Sequence, residues 1–227
     1  MMKKGFLIFL PIFIISSLVF LLIFALTNDE EIPVEEFELN GTWRVASFHE
    51  GEAKELYDDK FYVFKDGNLT EYDNGSIVKE SSYELIDYSS LKIKGGQSYY
   101  TNLISENILQ LYQLKDKKES IINLIRWDQD MSSTSIDTTL IVGKWDVLCH
   151  GEGMPVSEQL VFTDTTLSLY RNGGATPTNV SDYIIDGDLL KAYTISMNVK
   201  IYKISTDCMI FVEESSGRIW ELTKIYQ

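Results

Sequence analysis

The sequence predicts an all-β protein, two tandem small antiparallel up-and-down β-barrels after one N-terminal transmembrane helix, and three observations carry that prediction. The chain opens on an apolar run from Phe6 to Leu26. Beyond residue 38 no stretch keeps apolar residues at i, i+3, i+4 and i+7 over three turns, whereas short alternating runs bounded by turn residues recur about every 10 residues. The second half then repeats the first: Leu39-Asn40-Gly41-Thr42-Trp43-Arg44-Val45 returns about a hundred residues later as Ile141-Val142-Gly143-Lys144-Trp145-Asp146-Val147. This repeat divides the 227 residues into two units of about 90 each, enough for a modest core in both. The expected boundaries are an anchor over 1–27, an acidic spacer over 28–38, a first barrel over 39–127, a linker over 128–138 and a second barrel over 139–227.

The run from Phe6 to Leu26 is broken only by Pro11, Ser16 and Ser17. At about 1.5 Å per residue it spans about 31 Å, the thickness of a bilayer's hydrocarbon core. A cleaved signal peptide is the rival reading, with Lys3 and Lys4 as its positive start. Its apolar stretch normally runs about 7 to 15 residues and ends in small residues, whereas Ala25-Leu26-Thr27 is a poor cleavage site and no Cys follows to take a lipid. Lys3 and Lys4 belong on the cytoplasmic side. After the helix come Asp29, Glu30, Glu31, Glu35, Glu36 and Glu38 with no basic residue among them, so a single-pass membrane protein with extracytoplasmic C-terminal domains is expected. Pro33 inside this acidic stretch suits a solvated stalk. The formal net charge of -14 repels phosphate backbones and argues against nucleic acid as a partner.

After the Trp strand the two units stay in step. Tyr62-Val63-Phe64 before Asp66-Gly67 and Leu69 corresponds to Leu160-Val161-Phe162 before Asp164-Thr165 and Leu167. Asp66-Gly67 marks a hairpin with a primed turn, and Asn74-Gly75 and Asn172-Gly173 mark a second at the same place in both units. Tyr83 with Ile86-Asp87 and Leu91 matches Tyr183 with Ile185-Asp186 and Leu190. Ile104-Ser105 with Leu109 matches Ile204-Ser205 with Met209, and Leu124-Ile125-Arg126 matches Leu222-Thr223-Lys224. Each unit should hold seven or eight antiparallel strands, and closing them into a barrel removes the sheet edges. Asp128 to Asp137 is polar and unpatterned, as a linker between domains would be.

Gly-x-Trp on the first strand, Phe-x-Asp-Gly-x-Leu, Tyr with Ile-Asp and a following Leu, and Ile-Ser-x-x-x-Leu together resemble the bacterial lipocalin-like domains of envelope proteins. The resemblance covers both units, about 190 of the 227 residues. It implies an antiparallel barrel closed at the end that carries Gly-x-Trp, on secreted or anchored proteins. The second copy departs from the pattern at Thr165-Thr166, where the first has Gly67-Asn68.

Strict alternation puts Trp43, Val45 and Ser47 on one face, and Trp145, Val147 and Cys149 on the equivalent one. Gly41, Trp43, Gly143 and Trp145 are therefore expected to close one end of each barrel. Phe64, Leu69, Leu109, Leu111, Phe162, Leu167 and Phe211 are the expected interior, either filling it or lining space for one small ligand, since eight strands leave room for little more.

Little catalytic chemistry is legible. Cys149-His150 are sequential on a strand and face opposite ways, and no second Cys/His cluster exists to complete a metal site. In a one-to-one alignment of the copies Phe48, not His49, stands opposite His150. Cys149 on the first strand of the second unit and Cys208 near its seventh are candidates for one disulfide, because a closed barrel brings its first and last strands together. Asp and Glu are scattered over turns without an acid–base pair, and four Asn-x-Ser/Thr matches matter only in a host that glycosylates. No catalytic residue, metal or cofactor is expected. The functional expectation is a non-catalytic, membrane-anchored binding or interaction module with an envelope protein or glycan as partner, or else a carrier or sensor of a small apolar ligand inside one barrel.

Overall fold

The computed structural model describes residues 39–226, apart from 52, 87–88, 96, 116–117, 132–135, 151–157 and 172 and the side chains of Lys115, Cys149 and His150. The expected N-terminal helix and acidic spacer lie outside the described residues. No helix among the described residues is long and apolar enough to cross a membrane.

The first barrel is built from β1 (Gly41–Glu50), β2 (Ala53–Leu56), β3 (Lys60–Lys65), β4 (Asn68–Asp73), β5 (Ser76–Ile86), β6 (Ser90–Ile93), β7 (Gln97–Ser105), β8 (Ile108–Lys115) and β9 (Lys118–Arg126). β1 pairs with β3, the strands from β3 to β9 pair in succession, all antiparallel, and β9 returns to β1, so eight strands close and β2 adds a short hairpin arm on the far half of β1. Asp66 and Gly67 both take positive φ, the primed turn that their sequence demands. The second barrel closes β10 (Gly143–His150), β11 (Glu158–Phe162), β12 (Thr166–Arg171), β13 (Asn179–Asp186), β14 (Leu189–Ala192), β15 (Met197–Ile204), β16 (Cys208–Glu213) and β17 (Ile219–Ile225) in the same order. The chain is therefore all-β with two eight-stranded antiparallel barrels.

Each Gly-x-Trp is one corner of a plug. Trp43 and Trp145 are fully buried, and their indole nitrogens donate to the carbonyls of Leu39 at 2.9 Å and Ile141 at 2.8 Å. A cation from the last strand covers each ring, Arg126 at 4.4 Å and Lys224 at 4.9 Å, because these residues are the register partners of the two Trp. Gly41 and Gly143 both sit at φ +139, a conformation that L side chains rarely adopt. A Cβ there would also meet Arg126 Nη1 at 3.3 Å or Lys224 Cε at 2.8 Å.

Strict alternation fails on β1. The register with β9 shifts between Val45 and Ser47, so Ala46 is a bulged residue. The expected inward Ser47 is instead buried on the outer face, and Phe48 turns inward beside Ile122. The extra residue also corrects the alignment of the two copies. Ser47, Phe48 and His49 oppose Asn123, Ile122 and Ile121, while Leu148, Cys149 and His150 oppose Glu221, Trp220 and Ile219. His49, not Phe48, is the register equivalent of His150.

A second bulge, at Tyr202 on β15, faces the first from the other barrel. The Tyr202 hydroxyl lies 2.8 Å from the carbonyl oxygens of both Ala46 and Tyr57. Around it Ala46, Ile108 and Ile125 of the first barrel pack on Tyr202, Ile210, Val212 and Ile219 of the second in one buried cluster. Arg44 is 1% exposed here, its guanidinium between the rings of Trp127 (5.1 Å) and Tyr202 (4.9 Å). It donates to the Asp58 carbonyl at 3.0 and 2.7 Å and to the Tyr202 carbonyl at 3.3 Å. Burial lowers its pKa against the attraction of Tyr202, Asp188 and Asp59. Lys203 reaches Asn107 at 2.9 Å and Asp128 at 2.6 Å, and Lys200 pairs with Asp58 and Asp188. Residues 39–227 thus form one compact unit in which the two barrels share a core, and Asp128, expected in a solvated linker, is tied into the junction.

The expected Cys149–Cys208 disulfide is not made: Cys208 is free. β17 runs between their two strands, with Cys149 opposite Trp220 and Cys208 opposite Thr223. Two inter-strand spacings of about 4.8 Å already exceed the roughly 7 Å Cα separation that a disulfide tolerates. Cys208 packs against the junction cluster, where burial and then Glu221 push its thiol up to about 11.

Candidate functional site

The inner face of the first barrel changes character along its strands. At the Trp43 end Phe64, Leu69, Leu91, Leu109, Leu111 and Leu124 are at most 1% exposed and fill the bore. Two residues further along the same faces come Tyr62, then Lys60, on β3, Glu71 on β4, Ile93 on β6, and Tyr99 and Gln97 on β7. With Val45, Phe48, Tyr57, Lys79 and Ile122 they line an open cavity of about 270 Å³ at the end opposite Trp43.

This mouth is an ordered polar and aromatic site. Glu71 pairs with Lys79 at 3.3 Å. Tyr99 donates from its hydroxyl to Gln97 Oε1 at 3.0 Å. Lys60 Nζ stands 4.7 Å from the Tyr57 ring centroid and 6.0 Å from that of Tyr62, within cation–π range. Tyr57 donates to Glu55 Oε2 at 2.6 Å, and burial followed by that bond pushes its phenol up to about 12. Burial first and Glu71 second also raise the phenols of Tyr62 and Tyr99, so both remain neutral O–H donors at ordinary pH.

The second barrel shows what the same positions do when no mouth is built. Register places Leu160, Leu169, Ala192, Val199 and Met197 where the first barrel has Tyr62, Glu71, Ile93, Tyr99 and Gln97. All five belong to the buried apolar cluster around Trp145, with Phe162, Leu167 and Phe211. Glu158, in place of Lys60, pairs with Arg171 at 3.0 Å.

A wider groove of about 500 Å³ lies between the barrels, lined by His49, Gln110, Glu119, Ile121 and Asn123 on one side and by the turn from Ser216 to Ile219 on the other. Its floor is a chain of polar side chains: Gln110 donates to Asn123 Oδ1 at 2.9 Å, Asn123 to Ser47 Oγ at 2.8 Å, and Ser47 Oγ lies 3.2 Å from His49 Nε2. The Ser–His contact has the spacing of a nucleophile and its base. Ser47 is fully buried, however, so no reacting atom reaches its oxygen, and the chain serves to satisfy polar groups inside the junction.

Of the residues picked out from sequence, Gly41, Trp43, Gly143 and Trp145 sit at the ends described above. Phe64, Leu69, Leu109, Leu111, Phe162, Leu167 and Phe211 are all buried, and none lines the mouth cavity. The mouth residues Lys60, Tyr62, Glu71 and Tyr99 escaped notice, although counting back by two from Phe64 and forward by two from Leu69 reaches three of them. No group of three or more metal-binding side chains occurs among the described residues.

Neither a family model nor a curated protein sequence matches the chain. Among solved structures, a protein of unknown function from the DUF3598 family of Nostoc punctiforme PCC 73102 is similar at 12% identity, over 82% of this chain and 96% of that one, with a TM-score of 0.29.

Proposed function

We propose that this chain is a non-catalytic binding protein of lipocalin-like type, carried outside the cytoplasm by its N-terminal helix, whose recognition site is the mouth of the first barrel. The divergence of the two copies is the observation that carries this reading. Two barrels with repeated sequence motifs and the same order of closing strands differ at the same inner positions, apolar and packed in the second, aromatic and charged around an open cavity in the first. A barrel needed only for stability has no use for Lys60, Glu71 and Lys79 in its bore, since partly buried charges cost free energy that apolar side chains do not. The polar lining favours a small molecule with both a ring and a polar group over the apolar cargo of a deep cup.

Isothermal titration of the full-length protein with 2-naphthol and related two-ring aromatics tests the assignment. Saturable binding of one molecule per chain is expected. Ile93→Trp, which fills the mouth, should abolish it, and Ile184→Trp, at a half-exposed position outside the second barrel's core, should leave it unchanged. Binding that survives Ile93→Trp in a folded protein would place recognition elsewhere.

A further inference from the structure

We infer that the mouth of the first barrel selects planar aromatic molecules that carry one negative charge; this rests on the mouth being the binding site. Three ionic groups line the cavity, Lys60, Lys79 and Glu71. Glu71 is taken up by Lys79 at 3.3 Å. Lys60 makes no ion pair among the described residues: the ring faces of Tyr57 and Tyr62 lie beside it, and Asp73, which stands opposite it on β4, is outside the cavity lining. The lining is therefore net positive by one charge inside a chain whose formal charge is -14.

The geometry around Lys60 favours an anion over the other two charge classes. A ring of tyrosines with a carboxylate nearby could serve as a cage for a cation. Here the faces of Tyr57 and Tyr62 already hold Lys60, and the carboxylate already holds Lys79, so an entering cation would meet two like charges and one spent partner. A neutral aromatic would gain the ring contacts with Phe48, Tyr62 and Tyr99 but leave the ammonium of Lys60 without an ion pair inside the half-enclosed site. A carboxylate attached to a flat ring supplies both. It accepts from Lys60 and from the Tyr62 hydroxyl, which has no hydrogen-bond partner among the described residues. Charge-assisted hydrogen bonds of this kind are shorter and stronger than neutral ones. The space sets the size: about 270 Å³ lies just below the roughly 300 Å³ at which pockets for drug-sized ligands begin, which suits one or two fused rings. The acidic surface does not supply the selectivity, since it repels anions at a distance. Attraction begins only within contact range of Lys60, where screening over about 8 Å has removed most of the outer field.

Titrating full-length protein with 2-naphthoate, 2-naphthamide and 2-naphthyltrimethylammonium separates the charge classes on one ring system. The carboxylate should bind at least tenfold more tightly than the amide, with the cation weakest, and raising salt from 50 to 500 mM, chosen to shorten the screening length about threefold, should narrow the carboxylate's advantage without moving the amide. Lys60→Met should bring the carboxylate to within about twofold of the amide, and a far-ultraviolet circular dichroism spectrum and urea midpoint matching the unaltered protein show that the variant is folded. Carboxylate and amide binding equally well, or the cation binding best, would overturn the charge assignment and leave the mouth as a site. No saturable binding by any of the three would bring down both. If Lys60→Met does not fold, the salt dependence of the unaltered protein decides the matter alone.

Discussion

Arg44 shows how much a single side chain can hold in this chain. Its neighbours in sequence, Trp43 and Val45, face the bore, so it must face out, and on most barrels an outward Arg meets water. Here it meets the second barrel, where its planar fork satisfies the carbonyls of Asp58 and Tyr202 and its faces cover Trp127 and Tyr202. A lysine cannot reproduce two parallel donors and a flat face. Arg44→Ala should therefore destabilise the protein by about 2 to 4 kcal/mol, combining lost packing with carbonyls left buried and unpaired. Arg44→Lys should recover less than half of that loss. Urea midpoints of the full-length variants measure both, and an Arg44→Ala midpoint equal to wild type would mean that water fills the junction. The same residue-scale logic accounts for Gly41 and Gly143, where backbone conformation and the cation on the neighbouring Trp exclude any side chain.

At the scale of the strand, period-two alternation made the fold legible and a single extra residue made part of it illegible. The Asp66-Gly67 and Asn74-Gly75 turns, the Trp strands and the inward Phe64, Leu69, Phe162 and Leu167 follow from local chemistry that tertiary context does not change, whereas the second copy of the Asn-Gly hairpin opens into the longer connection from Arg171 to Asn179. Beyond Ala46 the prediction fails, because a bulge has no composition of its own and shifts every later side chain on β1 to the other face. That shift hid the Ser47–Asn123 contact, the equivalence of His49 with His150, and Phe48 in the mouth. His49 in turn makes β1 pH-sensitive. Its ring lies against Gly217 of the second barrel, with Ser47 and Lys54 beside it, Glu119 on the same wall of the groove and Arg218 across it. Burial first and Lys54 second hold its folded pKa below the ordinary 6.5. Above 6.5 the imidazole is neutral in folded and unfolded chains alike and costs nothing. As pH falls below that value the unfolded state takes up the proton first, so stability declines until the folded pKa is passed. His49→Gln should remove this component: the fall in urea midpoint between pH 7.5 and pH 5.5, chosen to bracket 6.5, should be smaller in the variant than in wild type. Equal falls would assign the acid sensitivity to carboxylates.

Residues 39–227 are better described as one folded body with two bores than as two beads on a string, a difference that sequence periodicity cannot express. Duplication is visible as a repeat, but whether the copies dock depends on outward residues such as Arg44, Ala46, Ile108, Tyr202 and Ile210, and on a single strand these are indistinguishable from residues that face solvent. Two facing bulges create the docking surface, since each turns consecutive side chains, Ala46 with Ser47 and Tyr202 with Lys203, toward the partner barrel. Shared burial of this kind couples the barrels' stabilities: unfolding one exposes the cluster from Ala46 to Ile219 and strips Arg44 of its second ring. At about 25 cal/mol per Å² of apolar surface, even a modest junction is comparable with the 5 to 15 kcal/mol that holds a whole domain. Equilibrium unfolding of the full-length protein in urea should accordingly be a single transition, coincident by tryptophan fluorescence and far-ultraviolet circular dichroism. Tyr202→Phe, which removes only the hydroxyl shared by the carbonyls of Ala46 and Tyr57, should lower the midpoint by the equivalent of about 1 to 3 kcal/mol while keeping one transition. Two resolved transitions in the unaltered protein would show that the barrels fold independently and that the junction is a contact rather than a core.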